Sequence, residues 1–236
     1  MSTSRLSFCA LVLYLSLAMV ACGGSGGSNN NPPPVNPTND FVYTANAAGS
    51  PGTVSALTTN ASTGALAAIS GSPFNAGSAP RSMAVDSAGK FLFVGNYFSS
   101  DISVFGISST SGALSAVTGS PFAAELGVDA VAVNPNATFL YAVSERSANV
   151  WAYSISSAGV LAPLVGYPES LLTPATAADS VIVDPSGKYV YTASRDSLHG
   201  YIHGFSINTS NGVGTANGSL TALPLFPLVA LGSPAR

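Results

Sequence analysis

The chain of 236 residues is rich in hydrophobic side chains, which make up 47% of it, and poor in charged ones, which make up 7%. Soluble domains usually carry about 25% charged residues, so most positions here are expected to lie in packed surfaces rather than in water. The formal net charge of −3 and the absence of a basic stripe exclude the electrostatic footprint of a nucleic-acid-binding protein.

Residues 1–21 are predicted to form a signal peptide. Arg5 precedes an apolar stretch at residues 6–20, which is too short to span a bilayer comfortably but has the length of a signal-peptide core. The run Leu17-Ala18-Met19-Val20-Ala21-Cys22 resembles the lipobox of bacterial lipoproteins, in which the cysteine is acylated and becomes the mature N-terminus. The alternative is an ordinary secretory signal in which the cysteine occurs by chance.

Residues 22–40 are predicted to form a disordered tether, because Gly, Ser, Asn and Pro dominate them and no hydrophobic periodicity is present. Cys9 lies in the segment that is removed and Cys22 carries lipid in this interpretation. The mature body then has no thiol for a disulfide or a metal–thiolate site. We therefore expect a membrane-anchored lipoprotein of the cell envelope, on its periplasmic or extracellular face, held to the membrane through Cys22.

Residues 41–236 repeat a unit of about 50 residues. Gly71-Ser72-Pro73-Phe74 returns as Gly119-Ser120-Pro121-Phe122, and runs of aromatic and β-branched residues begin at positions 41, 91, 139 and 189. A period of this length with strand-like content is typical of the blades of a β-propeller.

Each unit is predicted to contain four antiparallel strands, named A to D from the inside outward. A polar turn such as residues 184–188 joins strands A and B, an alternating strand C follows, and a turn such as residues 63–66 leads into an outer strand D that ends at the Gly-Ser-Pro-Phe signature. We therefore predict an all-β fold, a β-propeller with about four blades present. The strand C residues expected to pack between blades are Phe105, Trp151, Tyr153 and Phe205.

The predicted ring is incomplete. The first unit begins at strand B without an inner strand A, and residues 232–236 stand where a further strand A is expected to begin. We interpret residues 41–236 as a partial β-propeller domain of a truncated chain, with unpaired strand edges. A four-bladed ring is the alternative.

The repeated motifs resemble those of the seven-bladed β-propeller lactonase family, which includes 6-phosphogluconolactonase-like proteins. The resemblance rests on the Gly-Ser-Pro-Phe signature, on the run from Val183 to Tyr191 and on Thr63-Gly64-Ala65-Leu66, and it covers residues 41–236. It implies a propeller fold and hydrolysis of a sugar lactone. These motifs are requirements of turns and blade packing, so they carry no chemistry of their own.

Charged residues concentrate at one predicted rim of the propeller, where the B–C loops and the D–A segments lie. Ten of the 17 charged residues fall there, together with one histidine. These eleven residues are Arg81, Asp101, Glu125, Asp129, Glu145, Arg146, Glu169, Asp179, Arg195, Asp196 and His199. We take this rim as the ligand face. The alternative is that charges occur in loops simply because they are solvated there.

Arg195 and His199 are the leading catalytic candidates, because they share one loop on this rim. Under the resemblance, the histidine would handle the proton of the attacking water and the arginine would stabilise the oxyanion. Glu145 and Arg146 lie at the matching place one blade earlier and complete the candidate catalytic set. An ordinary polar loop and a surface ion pair are the alternatives. The candidate ligand-binding residues are Arg81, Asp101, Asp129 and Asp196.

Three departures weaken the enzyme hypothesis. Arg81 stands in a segment where members of the lactonase family often carry histidine. His203 aligns with strand C positions and is expected to be a packed strand residue. No nucleophile elbow, histidine metal pair or phosphate-binding loop occurs, so the sequence indicates no cofactor and no metal.

Three hypotheses therefore stay open: a hydrolase of sugar lactones, a non-catalytic surface propeller that binds a carbohydrate, a peptide or a protein partner, and a nonfunctional fragment.

The lipoprotein interpretation predicts the result of one substitution. Cys22→Ala should move the protein from the membrane fraction to the soluble fraction, because the acyl chains on this cysteine supply the apolar contact with the bilayer. Membrane fractionation followed by immunoblotting measures this. A variant that still sediments with membranes would contradict the interpretation.

Overall fold

The computed structural model describes residues 40–166, 169–171, 177–208 and 218–224, with short strands at 11–13 and 228–230. Every regular element in these ranges is a β-strand, so the all-β prediction is confirmed. The described part of the chain contains no helix long and apolar enough to cross a membrane. Cys9, Cys22 and the predicted tether, except its last residue, lie outside the described residues.

The strands form four antiparallel sheets, one per blade, in chain order. The first contains β1 (Leu11–Leu13), β2 (Phe41–Asn46), β3 (Thr53–Thr59), β4 (Leu66–Ala68) and β5 (Phe74–Asn75). The second contains β6 (Pro80–Val85), β7 (Phe91–Asn96), β8 (Asp101–Ile107), β9 (Leu114–Ala116) and β10 (Phe122–Ala123). The third contains β11 (Val128–Val133), β12 (Phe139–Ser144), β13 (Asn149–Ile155), β14 (Leu161–Pro163) and β15 (Glu169–Ser170). The fourth contains β16 (Ala177–Val183), β17 (Tyr189–Arg195), β18 (Gly200–Ile207), β19 (Leu220–Ala222) and β20 (Leu228–Ala230).

The four blades follow one another around an arc. The inner strand β11 of the third blade contacts β6 of the second on one side and β16 of the fourth on the other. The arc does not close into a ring, which agrees with a partial propeller. The alternative of a four-bladed ring is therefore wrong.

The outer strand of each blade is split, contrary to the expectation that it ends at the Gly-Ser-Pro-Phe signature. In the first blade β4 and β5 both pair with β3, and the signature lies at the break between them. There the backbone N–H of Ala56 donates to the Ser72 hydroxyl at 2.9 Å, and 48 residues later that of Val104 donates to Ser120 at 2.8 Å. The serine thus satisfies a strand donor that the break would leave unpaired.

The first blade also has an inner strand, which the sequence analysis did not expect. Residues Leu11–Leu13, from the predicted signal segment, pair antiparallel with β2, with Val12 opposite Tyr43. The open edge of β2 presents backbone donors and acceptors that an apolar extended segment can pair with. In the 236-residue chain the inner position is therefore occupied.

The hydrophobic core lies between the blades rather than within one. Each of three clusters of buried side chains combines residues from two neighbouring blades. Phe105 belongs to the first cluster, Tyr153 to the second and Phe205 to the third, while Trp151 packs against the second. The prediction that these strand C residues pack between blades is confirmed.

A repeated contact joins each blade to the next. In each of the first three blades, the second strand begins with an aromatic residue that packs against a glycine of the following blade. This glycine lies in the turn before the outer strand, and the aromatic ring occupies the space into which a Cβ on the glycine would project. The pairs are Phe41 with Gly112, Phe91 with Gly159 and Phe139 with Gly218. Each of these glycines has a positive φ, so the position requires glycine for its backbone as well as for space.

Replacing Gly159 tests this contact. An added Cβ would lie 2.6 Å from Phe91 Cε1, so Gly159→Ala should lower the free energy of unfolding by about 3 kcal/mol through overpacking and left-handed strain. Gly166→Ala is the matched control, because Gly166 also has a positive φ but no described atom within 4 Å of a Cβ. The control should cost about 1 kcal/mol in urea unfolding. If Gly159→Ala and Gly166→Ala lowered the free energy of unfolding equally, the contact between Phe91 and Gly159 would not be important for stability.

Candidate functional site

Three inner strands carry a β-bulge near their start, at the same position of the repeat. The pairing register shifts at Arg81 in β6, at Asp129 in β11 and at Asp179 in β16. A bulge leaves one residue unpaired and re-aims its side chain. Three consecutive blades therefore present a charged residue from equivalent places on one rim.

A second repeated position faces the first. Tyr97, Glu145 and Arg195 stand at or just after the ends of β7, β12 and β17, spaced by the same 48 and 50 residues. Because the inner and second strands of a blade are antiparallel, the start of one and the end of the other lie at the same edge of the sheet. Six side chains from three blades thus meet at this rim.

Five of these side chains form a continuous ion-pair network, which we call the rim cluster (Arg81, Asp129, Glu145, Asp179 and Arg195). Arg81 Nη1 lies 2.5 Å from Asp129 Oδ1 and 3.2 Å from Glu145 Oε2. Arg195 Nη2 lies 2.8 Å from Glu145 Oε1 and 3.1 Å from Asp179 Oδ1. Glu145 is therefore the bridge between the two guanidinium groups.

Glu145 is mostly buried and strongly held as a carboxylate. Its pKa is lowered by a hydrogen bond from Tyr97, against the opposing effect of burial, and further by Arg195 and Arg81. Charge-assisted hydrogen bonds of this kind are stronger than neutral ones. The centre of the rim cluster is therefore negatively charged at neutral pH.

Asp179 behaves in the opposite way. Burial raises its pKa, and the nearby carboxylates of Asp129 and Glu145 raise it further, although Arg195 opposes them. The Arg195 guanidinium, 3.1 Å from the Asp179 carboxyl group, does not offset the combined effect of burial and of the two neighbouring carboxylates on this pKa. Asp179 thus accepts a proton more readily than a solvent-exposed aspartate does.

An aromatic patch adjoins the rim cluster. The guanidinium carbon of Arg81 lies 3.4 Å from the centre of the buried Tyr97 ring, and that of Arg146 lies 5.2 Å from it. Arg146 Nε also donates to the Tyr97 hydroxyl at 3.4 Å, and its guanidinium lies 5.9 Å from the exposed ring of Phe98. Cation–π contacts orient both guanidinium groups along the rim.

The structure separates the loop residues that the sequence analysis grouped together. Arg195 joins the rim cluster, whereas Asp196 accepts hydrogen bonds within its own loop, from Tyr201 and from the backbone N–H groups of Leu198 and His199. The Tyr201 hydroxyl and these two N–H groups lower the pKa of Asp196 to about 2. The His199 ring is exposed, and its Nδ1 atom lies 3.6 Å from Asp196 Oδ1. The ion pair described for His199 is therefore with a residue of its own loop and not with the rim cluster.

Two other residues have local roles. Asp101 accepts a hydrogen bond from Asn96 Nδ2 at 2.6 Å at the start of β8. His203 is buried in β18, as expected, with Nε2 2.7 Å from Ser194 Oγ, and burial lowers its pKa. In the described residues, the rim cluster therefore includes Arg81, Asp129, Glu145 and Arg195 from the candidate residues, while Arg146 contacts its aromatic border.

Sequence reasoning placed Asp179 on the rim but did not select it as a site residue, and it missed Tyr97. Asp179 is equivalent in the repeat to Asp129 and Arg81, and Tyr97 is equivalent to Glu145 and Arg195. Aligning the repeats position by position would have added both residues to the site. Among the described residues, no group of three His, Cys, Asp or Glu side chains is placed to hold a metal ion.

Comparison with known families gives one match. Residues 24–130 match the family described as "Lactonase, 7-bladed beta-propeller". This confirms the resemblance inferred from the repeated motifs. No match is found among curated proteins.

Solved structures share the fold at low sequence identity. A candidate 6-phosphogluconolactonase from Bacteroides uniformis is 18% identical with a TM-score of 0.53, covering 77% of this chain and 67% of that one. The periplasmic gluconolactonase of Pseudomonas aeruginosa is 16% identical with a TM-score of 0.63, covering 77% and 52%. A functionally unknown protein from Desulfotomaculum acetoxidans is 17% identical with a TM-score of 0.58, covering 78% and 58%. The chain thus spans about half to two thirds of these structures.

The pKa of Glu145 is lowered and that of Asp179 is raised, so the two residues should change the stability of the fold in opposite directions as the pH rises. The ionised Glu145 stabilises the fold above its ordinary pKa of 4.5, and this contribution is lost as the pH falls through the lower folded pKa. Glu145→Gln should therefore cost about 1 kcal/mol near pH 7 and progressively less below about pH 4. Urea unfolding across this pH range measures the loss.

Asp179→Asn is the matched comparison. Its raised folded pKa means that ionisation of Asp179 opposes folding once the pH exceeds the ordinary value of 3.8. The variant should therefore gain stability relative to the parent as the pH rises from about 3 to 7. If the stability of Glu145→Gln and of Asp179→Asn, each relative to the parent, changed in the same direction with pH, the assigned roles of the two carboxyl groups would be contradicted.

Proposed function

We propose that this chain, whose residues 24–130 match the lactonase family of seven-bladed β-propellers, binds a sugar lactone at the rim cluster and hydrolyses it. The single observation that carries the proposal is the convergence of two guanidinium groups and three carboxylates from neighbouring blades. Three of these groups stand at bulges of the inner strands, and the other two stand at or just after the ends of the second strands. Of the solved structures that share its fold, one is a gluconolactonase by name and another is a candidate 6-phosphogluconolactonase by name, and this supports the substrate class.

Lactone hydrolysis needs a proton acceptor and a stabilised oxyanion. Water attacks the lactone carbonyl carbon, Asp179 accepts a proton from that water, and the carbonyl oxygen becomes an oxyanion. The oxyanion then re-forms the carbonyl group as the ring C–O bond breaks. The leaving alkoxide takes the proton that Asp179 accepted, which gives the hydroxy acid and returns Asp179 to its carboxylate form. Asp179 suits the first role because its pKa is raised.

Arg195 suits the role of oxyanion stabiliser. Its guanidinium is partly exposed on the rim and is held in place by Glu145 and Asp179. A cation fixed before the reaction stabilises developing negative charge without reorganising. Arg81, held in the same way by Asp129 and Glu145, gives the rim a second cation for the hydroxyl groups or the carboxylate of the product.

The proposal includes a location at the cell envelope. The lipobox-like segment ending at Cys22 supports a lipid anchor on a bacterial membrane. One solved structure that shares the fold is a periplasmic protein by name, which agrees with a substrate met outside the cytoplasm. The membrane is then the partner of the chain through its N-terminus.

A non-catalytic binding function is the second candidate. The observation that favours it is the mutual pairing of the rim-cluster charges, since paired charges stabilise a loop rim whether or not chemistry takes place. The ligand would be a carbohydrate, a peptide or a protein partner. Asp179→Asn separates the two functions, because it should abolish turnover of a lactone while leaving its binding within about threefold if the protein is an enzyme.

Arg195 gives the main test of the proposal. Arg195→Ala should reduce kcat/KM for glucono-lactone, or its binding constant, by about 10-fold to 100-fold, the equivalent of about 1 to 3 kcal/mol for a charged hydrogen bond. A pH-stat assay corrected for spontaneous hydrolysis measures turnover, and calorimetry measures binding.

Lys188→Ala is the control, because Lys188 is an exposed cation of the turn between β16 and β17, at the opposite end of these strands. It should leave both quantities unchanged. A wild-type protein that neither binds nor hydrolyses glucono-lactone, or an Arg195→Ala variant equal to it, would overturn the rim assignment.

A further inference from the structure

The aromatic patch beside the rim cluster contains one ring that lies mostly in solvent. Phe98 is 65% exposed, whereas the preceding Tyr97 is 8% exposed. The repeat places Arg146 and Asp196 at the equivalent position of the third and fourth blades, so the position does not require an aromatic residue. Blade packing therefore does not account for this exposed ring.

The Phe98 ring is nevertheless oriented by its neighbours. The backbone N–H of Phe98 donates to the carbonyl oxygen of Ser78 at 3.0 Å, which ties its turn to the segment before β6. The ring meets that of Tyr97 edge to face, with 5.2 Å between the ring centres. The guanidinium carbon of Arg146 lies 5.9 Å from the centre of the Phe98 ring. A side chain that is oriented before a ligand arrives loses little conformational entropy on binding.

Arg146 places hydrogen-bond donors beside this ring. Its Nε atom donates to the Tyr97 hydroxyl, whereas its Nη groups have no ion-pair partner and no hydrogen-bond acceptor in the part of the chain that the structure describes. Leu126 adds exposed apolar surface, and the following Gly127 lies against both Tyr97 and Arg146. An exposed aromatic face and guanidinium N–H groups therefore occur side by side.

The aromatic patch is continuous with the rim cluster. Tyr97 packs against Phe98 and also lies under Arg81, whose guanidinium carbon is 3.4 Å from the centre of the Tyr97 ring. Arg81 in turn pairs with Asp129 and Glu145 of the rim cluster. A ligand with its reacting group at the rim cluster therefore reaches Phe98 by extending across Tyr97 and Arg81.

We propose that Phe98 is a stacking subsite for a second sugar ring, so that the lactone bound at the rim cluster is the end of a disaccharide or a longer saccharide. The inference rests on the lactone hydrolysis proposed above and adds no chemical step to it. One face of a pyranose ring carries mostly C–H groups, which the aromatic ring covers. The hydroxyl groups at the edge of the sugar accept hydrogen bonds from Arg146.

A sugar ring fits this surface better than a purely apolar group does. An acyl chain or an apolar peptide side chain would cover Phe98, but it would also remove Arg146 from water without supplying an acceptor for its N–H groups, which is unfavourable. A sugar offers an apolar face and acceptors within one ring. Aromatic side chains combined with a few polar groups are also what small-molecule sites usually present.

Turnover of extended substrates is the first test. The substrates are glucono-lactone, cellobiono-lactone and maltobiono-lactone, of which the last two carry a second glucose in β or α linkage. For the parent chain we expect kcat/KM for at least one disaccharide lactone to exceed that for glucono-lactone by about fivefold, the effect of covering one exposed ring face. Phe98→Ala should bring this ratio down to about one, because the ring face is lost. Phe98→Tyr should retain the ratio, because tyrosine keeps the aromatic face.

Leu198→Ala is the matched control. Leu198 is also an exposed apolar residue, at 79%, and it lies in the corresponding loop of the fourth blade, between β17 and β18. The control should leave the ratio of the two kcat/KM values unchanged. A parent chain that shows no preference for either disaccharide lactone would overturn the subsite. So would a preference that survives in Phe98→Ala or that is lost equally in the control.

Binding of the open acids separates the subsite from the proposed hydrolysis. Calorimetry compares gluconate with cellobionate and maltobionate, which contain no lactone to hydrolyse. The parent should bind at least one disaccharide acid about fivefold more tightly than gluconate, and Phe98→Ala should bind them alike. This binding result without turnover of any lactone would contradict the hydrolysis and support the subsite. Turnover of glucono-lactone without any preference for the extended ligands would support the hydrolysis and overturn the subsite, and the absence of both would overturn both.

Discussion

The packing of an aromatic ring against a turn glycine, repeated from blade to blade, is the contact on which the rest of the structure depends. A single four-stranded sheet exposes two faces and cannot bury either alone, so each blade requires a neighbour. Phe91 can pack closely against the next blade because Gly159 has no side chain and has a positive φ, which suits glycine. This requirement accounts for the scarcity of charge and the abundance of small residues in the sequence.

The same repetition builds the rim cluster. Because every blade is seated on its neighbour in the same way, equivalent positions come to the same rim, and the bulges at Arg81, Asp129 and Asp179 aim their side chains together. The bulge position holds Arg81, Asp129 and Asp179, so its residue type differs between blades while its place on the rim does not. The fold therefore supplies the geometry, and the identities at two repeated positions supply the chemistry.

Much of the fold follows from the repeat, but cross-strand details do not. The second and third strands were predictable because aromatic and β-branched residues recur there, whereas the split outer strand depends on the Ser72 hydroxyl bonding to the Ala56 backbone of another strand. The site was predictable as a rim but not as a set of contacts. Glu145 meets Arg195 from a different blade, while Asp196 is held by hydrogen bonds inside its own loop.

The ion pairs of the rim cluster have a structural and a chemical consequence at once. Glu145 joins guanidinium groups from the second and fourth blades and so links three blades at this rim. Its own negative charge is also a reason why Asp179 binds a proton more readily. A substitution that loosened this bridge would therefore change both the position of Arg195 and the proton affinity of its neighbour. The stability of the rim and the proposed lactone hydrolysis are therefore coupled through the same carboxylate.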